Sequence, residues 1–374
     1  MLVHRGCMTT TPERQPISLS SYKDILAYVP HALGFHPRNS AVLLLIDDDR
    51  LEATLRVDLP PTEHAPDLEI WIDQVCRLLH RIPNIDDIAV VIYVAGNAGG
   101  SQVVPLSSLV AKLETALTHQ SIRLRHAWCR QDSRIWTYGT EDGLDVQDVP
   151  ALDTNETNLS MVLAGSAPLD QPWDGSGVPE WSNADDVLQL VGNQDANIMV
   201  SLDAWHESLS QPATVSTAEL HSDPQRAAIH LGSLQTKLVR DLLPFLAGEG
   251  LESALDIIFG ISVDEREGAV APLADYLLGR GWYAPDWERV DRLWELSRDL
   301  LGVAQDEPRQ ALLCILAWIE WARGRGSMAL VLLEQAVLEN EKYELAMLLQ
   351  KLMEHGVMPS WATDQLRAWR ANFS

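Results

Sequence analysis

Arg56 and Asp58 stand two residues apart in a stretch, Leu51 to Leu59, where apolar and polar residues alternate without error. In a strand that spacing puts both side chains on one face, about 7 Å apart. An arginine there can clamp an anion with its planar fork, and the aspartate can take a proton or hold a metal ion. The plainer reading is a surface pair on an exposed sheet face, stabilising by less than about 1 kcal/mol. His36, between Phe35 and Pro37, is the third residue of interest. Its imidazole would titrate near neutral pH and serve as base or ligand, or else bond the loosened backbone of a turn. The candidates are therefore His36 and Asp58 for catalysis, and Arg56, Asp58 and His36 for binding.

Gly96-Asn-Ala-Gly-Gly-Ser101 follows an apolar run and precedes a helix, where α/β folds hold phosphate. It lacks the spacing and the Lys-Ser/Thr of a nucleotide loop and reads as a flexible turn. There is no Gly-x-Ser-x-Gly elbow and no His-Glu-x-x-His. Cys76, Cys129 and Cys314 are far apart, without metal or redox spacing, and read as buried thiols. No metal site and no cofactor is expected.

The elements that must position Arg56 and His36 are legible around them. Ser21 followed by Asp24 opens a short helix, interrupted near Pro30 and stopped at Gly34, with Pro37 beyond. Residues 41–46 (AVLLLI) suit a strand buried on both faces, 47–50 its turn, and Pro60-Pro61 end the alternating strand that follows. Residues 67–82 carry a helical apolar stripe, 88–94 a second buried strand, and 105–119 another helix. A hairpin is expected over 122–129 and 134–138, with Trp128, Trp136 and Tyr138 paired across it. Strand–helix–strand order predicts an α/β domain with a mixed, mainly parallel sheet, extended by hairpins and flanked by helices.

The predicted organisation is a disordered tail (1–17), the α/β domain (18–139), an acidic Pro/Gly/Asp-rich connector (140–215) and an all-α domain (216–374). Helices are expected at 225–247, 251–260, 270–279, 286–301, 308–323, 327–340 and 342–355. The tryptophans at 282, 287, 294, 318 and 321 fall at helical spacings and read as core, with an aromatic partner groove as the alternative.

The net charge is −25, and residues 135–225 hold 16 acids and not one lysine or arginine. Such a field repels phosphate backbones and anionic membrane surfaces, so direct nucleic-acid and membrane binding are disfavoured. No stretch nears the roughly 18 to 20 apolar residues of a membrane span, and residues 1–19 lack a secretory core. Met8 is the expected start, and the expected location is cytoplasmic. A protein partner would dock through the helical domain or the acidic connector.

The run Pro30-His-Ala-Leu-Gly-Phe-His-Pro37, then Ser40 opening an apolar strand, then Arg56-Val-Asp-Leu-Pro60, resembles one actinobacterial family, domain of unknown function 4192. The closing segment resembles it too, through Ala317-Trp318, Gly324-Arg-Gly326, Ala329, Ala336, Tyr343-Glu-Leu-Ala346, and Gly356 ahead of Pro359. The similarity spans 18–361 and implies a fold more than an activity. Family members often carry a cysteine cluster after the strand matching Trp136 and Tyr138; here Gly139-Thr-Glu-Asp-Gly-Leu-Asp145 stands instead. Asp142, Asp145 and Asp148 do not reproduce a calcium loop, so a solvated loop is expected. Ala317, Gly324, Ala329 and Ala336 also fit the small packing positions of a tetratricopeptide-like helical hairpin, expected here as core rather than as a solenoid.

Two functional readings follow. The first is a non-catalytic interaction or regulatory protein, favoured by the absence of a specific catalytic motif. The second is an enzyme or small-molecule-binding domain with an anion site at the sheet edge around Arg56 and Asp58. Within the resemblance, Arg56 could equally anchor the loop after Gly34 or pin the helical domain against the sheet.

Overall fold

The computed structural model describes residues 21–82, 85–96, 105–139, 146–148, 152–192, 197–262, 266–281, 283–364 and 367–369. Helix α1 (Tyr22–Leu33) opens on a capping box, in which the Asp24 N–H donates to Ser21 Oγ and the Asp24 carboxylate accepts from the Ser21 N–H. It runs through Pro30 without a break and stops at Gly34, whose φ of 84° is the left-handed cap. Strands β1 (Ser40–Asp47) and β2 (Arg50–Asp58) form a hairpin across Asp48 and Asp49, both at positive φ (45° and 61°), the turn that matches strand twist. Then come α2 (Ala65–Leu79), β3 (Asp87–Val94), α3 (Ser107–His119), β4 (Arg123–Gln131), β5 (Arg134–Thr137) and β6 (Val146–Asp148).

Among the described residues the sheet has six strands in the order β2-β1-β3-β4-β5-β6, and β3–β4 is its one parallel pair. The expected mainly parallel sheet is therefore corrected to a mostly antiparallel one. Strands β2, β3 and β4 do run the same way, as their helical connections require. The tight hairpin, however, seats β1 between β2 and β3, antiparallel to both. Trp128 faces Thr137 and Cys129 faces Trp136 across the second hairpin, so Trp128 and Trp136 point to opposite faces instead of pairing.

Both sheet faces are covered. Ala41, Leu43, Leu45, Val90 and Ile92 pack with Trp71 and Val75 of α2 and Leu109 and Leu113 of α3. On the other face Val42, Leu44, Val91 and Tyr93 pack with Leu26, Val29 and Leu33 of α1.

The rest of the chain is helical: α4 (Glu156–Leu163), α5 (Ala184–Val191), α6 (Ile198–Leu209), α7 (Ala213–Ser222), α8 (Pro224–Ser233), α9 (Lys237–Glu249), α10 (Leu251–Ser262), α11 (Arg266–Leu277), α12 (Trp287–Leu300), α13 (Asp306–Ala322), α14 (Gly326–Glu339) and α15 (Glu344–Glu354). The stretch 140–215 takes part in this helical architecture. Within 140–215, α4 packs on α1, and Trp181, Val187, Leu202 and Trp205 are buried in the helical core. Its Asn residues cap helices: Asn155 and Asn197 each accept N–H groups of the following turn. The helix expected over 225–247 is split between α8 and α9. Helix α13 is buried on nearly all sides and forms the axis of the helical core. Trp287, Trp318 and Trp321 are core residues, and their indole N–H groups donate to the carbonyls of Arg367, Leu277 and Val357. Trp282 lies outside the described residues. Among the described residues no helix is long and apolar enough to cross a membrane.

Candidate functional site

Strand β2 is the edge of the sheet, and its register decides which way Arg56 points. Leu45 pairs with Ala53 but Ile46 with Leu51, so Glu52 is the extra residue of a bulge. From Ala53 onward the pairing is regular, with Thr54 opposite Leu44 and Arg56 opposite Val42, on the α1 face. The Arg56 Nη2 donates to Asp58 Oδ1 at 2.5 Å, and its guanidinium lies over the Phe35 ring, 5.7 Å from the centroid. Only 16% of the Arg56 side chain is exposed, against 76% for Asp58. The Arg56 Nε and, two residues earlier, Thr54 Oγ1 are buried without a hydrogen-bond partner among the described residues.

The structure brings Arg56 and Asp58 together and turns His36 elsewhere. Phe35 is buried at 1% exposure, whereas His36 is exposed and donates its backbone N–H to the Leu169 carbonyl. The buried histidine of this motif is His31. Its Nε2 meets Asn158 Oδ1 and its Nδ1 meets Ser166 Oγ, both at 2.9 Å, which ties α1 to the α4 region. The neutral tautomer with Nε2–H fits both contacts, since the amide oxygen can only accept. Burial lowers the His31 pKa, the hydrogen bond to Asn158 opposes that, and Arg325 adds to the lowering.

A cleft of about 1550 Å³ separates the free edge of β2 from the helical half. Leu51 through Arg56 line it on one side, and residues of α9, α11, α13, α14 and α15 line the other. Two contacts join the halves at glycines. The Arg325 guanidinium lies against Gly34, where an added β-carbon would stand 3.2 Å from Arg325 Cζ. At the C-terminal end of α2, Leu78 packs so closely on Gly356 that an added β-carbon would stand 2.2 Å from Leu78 Cδ2.

The cleft inverts the charge of the chain. Six cations line it, Arg56, Arg81, Arg240, Arg323, Arg325 and Lys351, against two acids, Glu52 and Asp241. The whole chain has 28 lysines and arginines against 53 acids. Four of the six cations are partly committed. Arg56 pairs with Asp58, and Arg240 donates to Asp241 and to the Tyr343 hydroxyl. Arg323 bridges Glu320 (2.7 Å) and Asp291 (2.6 Å), and Arg325 stands 3.7 Å from the other oxygen of Glu320, which is 2% exposed. Burial raises the Asp241 pKa against the pull of Arg240, and burial pushes the Tyr343 hydroxyl up to about 12. Arg81 and Lys351 are exposed and have no ion pair among the described residues.

A family model described as Domain of unknown function (DUF4192) matches residues 23–171 and 272–360. The chain belongs to this family. Neither the curated proteins nor the solved structures give a match. Both DUF4192 segments converge on the cleft: Leu33 and Arg56 come from the first, Arg325 and Gly356 from the second. Helix α9, which supplies Arg240 and Asp241, lies in the stretch between the matched segments.

Sequence reasoning missed Arg325, Arg81 and Lys351. The Gly324-Arg-Gly326 motif was a visible signal for the first, but its Gly324 read as a packing residue of a hairpin. The glycine-rich turn at Gly96–Ser101 lies largely outside the described residues, as do Asp142 and Asp145. Among the described residues no group of three His, Cys, Asp or Glu side chains could hold a metal ion.

Proposed function

We propose that this DUF4192 chain is a cytoplasmic interaction or regulatory protein that works by binding, and that the cleft between β2 and the helical half is its working site. The observation that carries this reading is the convergence of both matched segments on a cation-lined cleft in a chain of net charge −25. A positive cleft in a negative protein focuses an anionic group toward one place and repels it from the rest. The helical half takes part as the far wall of the cleft. The tetratricopeptide-like reading of the α13–α14 hairpin fits a core role, since Ala317, Ala329 and Ala336 are wholly buried.

The test is a photo-crosslinker at Leu348, which lines the cleft and is 64% exposed. Crosslinking in host cells should give a defined protein adduct that the Arg81→Glu substitution suppresses. Adducts insensitive to that substitution, or none, would overturn the reading.

The second reading, a small anionic molecule held at the sheet edge, draws on the buried Arg56 Nε and Thr54 Oγ1. They lie on one face of β2 without partners among the described residues, at the cleft. A metabolite whose stabilisation in a thermal-shift screen is lost in Arg56→Ala would support it.

A further inference from the structure

We infer that the cleft takes its partner as an added β-strand: an extended acidic peptide with interspersed apolar residues, paired along the free edge of β2. This rests on the cleft being the binding site and names the class of partner it accepts.

The edge itself carries the inference. Among the described residues β2 pairs with β1 alone. Every second residue of an edge strand directs its N–H and C=O outward, and proteins blunt such edges with prolines, lysines or covering elements. From Ala53 to Val57 the register is regular and holds no proline, lysine or bulge, and the Asp58 carbonyl beyond is taken by the Trp71 indole N–H. Five residues give roughly 17 Å of edge. Leu51 through Arg56 line the cleft consecutively, so the backbone edge faces it along with the alternating side chains.

The dimensions and the charge select the occupant. At about 1550 Å³ the cleft exceeds the roughly 300–1,000 Å³ of ordinary small-molecule pockets. Its walls approach each other at Arg325 against Gly34 and at Leu78 against Gly356. Side chains of an added strand alternate between the two sheet faces. One set meets the side of Thr54 and Arg56, and the other meets the side of Leu55, Leu78 and Arg81. Apolar partner residues suit the leucines of α15, and acidic ones suit Arg81 and Lys351, the two cations of the cleft lining that are exposed and without ion pairs among the described residues. Main-chain pairing supplies affinity and the alternate pockets supply selectivity.

The experiment selects peptides of about twelve residues from a random display library on the immobilised full chain, enough to cover the edge with flanks. Enriched sequences should alternate acidic and apolar residues. The best peptide should slow amide exchange within 53–57. Alternate backbone N-methylation, which leaves its side chains intact, should weaken binding about tenfold, the equivalent of one or two lost hydrogen bonds. Arg81→Glu and Lys351→Glu, both exposed and thus compatible with folding, should each weaken it by about fivefold, less so at high salt.

Equal binding by the N-methylated peptide, unchanged exchange in β2, or no enriched peptide would each overturn strand addition. The crosslink at Leu348 separates the two failures. A protein adduct suppressed by Arg81→Glu would keep the cleft as the binding site while strand addition falls. No enriched peptide and no such adduct would sink both.

Discussion

The Arg325 guanidinium lies against Gly34, so that a β-carbon there would approach its Cζ to 3.2 Å. Gly34 is therefore constrained twice, by its φ of 84° and by the arginine arriving from the far half of the chain. Alanine in the left-handed region costs about 1–2 kcal/mol by itself. Gly139, at φ 83° with nothing within 4 Å among the described residues, supplies the control for that backbone cost. Gly34→Ala should exceed Gly139→Ala by about 0.5–1.5 kcal/mol in urea denaturation, the cost of moving Arg325 off its rotamer. Equal costs would mean that Arg325 swings clear freely and does not join the halves.

The contact of Gly356 with Leu78 is tighter and should cost more to disturb. Its φ of 66° adds the same backbone strain, and a β-carbon would stand 2.2 Å from Leu78 Cδ2. Gly356→Ala should destabilise by about 2–4 kcal/mol. The double substitution with Leu78→Ala should cost at least about 1 kcal/mol less than the sum of the two singles, because the shortened side chain removes the clash. Additive costs would place the strain somewhere other than this contact.

These two contacts show what the sequence could and could not convey. Both motif blocks were visible, the first through Gly34 and the second through Gly324-Arg-Gly326. Their meeting was not, because Gly34 and Arg325 come from opposite ends of the chain and no periodicity encodes which loop faces which. Locally determined features were legible: the capping box at Ser21 and Asp24, the buried β1 and the alternating β2 that puts Arg56 beside Asp58.

Strand order was not legible. Helical connections fix strand directions, but only pairing decides that β1 sits between β2 and β3. Helices α5 to α7 were hidden by composition. Their Asn and Pro residues suggest turns, while the structure uses Asn197 and Pro212 at helix starts. Arg81 and Lys351 looked like ordinary solvated charges, since nothing local marks a cleft wall.

His230 should make the protein acid-sensitive. It is wholly buried, with its Nδ1–H donated to the Arg226 carbonyl, its Nε2 accepting from the Ser208 hydroxyl and its ring edge-on to Trp205. Burial pushes its pKa down to about 4, against about 6.5 unfolded. Above pH 6.5 both states are neutral and stability is unaffected. As pH falls below 6.5 the unfolded chain takes the proton first, and stability drops until the folded state is protonated near 4. The loss is on the order of 3 kcal/mol. In urea melts at pH 7.5 and 4.5, His230→Gln should lose much less stability on acidification than the wild type. The same pH dependence in both would show that His230 is not the sensitive group.

Arg56 and Asp58 should respond unequally to substitution. Asp58 is 76% exposed, so its ion pair with Arg56 is screened and contributes less than about 1 kcal/mol. Arg56 also covers Phe35, which anchors the loop after Gly34, and its stem fills the edge of the α1 face. Arg56→Ala should therefore cost about 1–2 kcal/mol through lost stacking and packing, while Asp58→Asn stays within about 0.5 kcal/mol of wild type. Arg56→Met, which keeps the stem and drops the charge, separates packing from charge. If Met restores most of the stability yet the chain loses cleft ligands, Arg56 acts on the ligand through its guanidinium. If Met restores both, the guanidinium only fills space, and Arg81 and Lys351 carry the charge selectivity of the cleft.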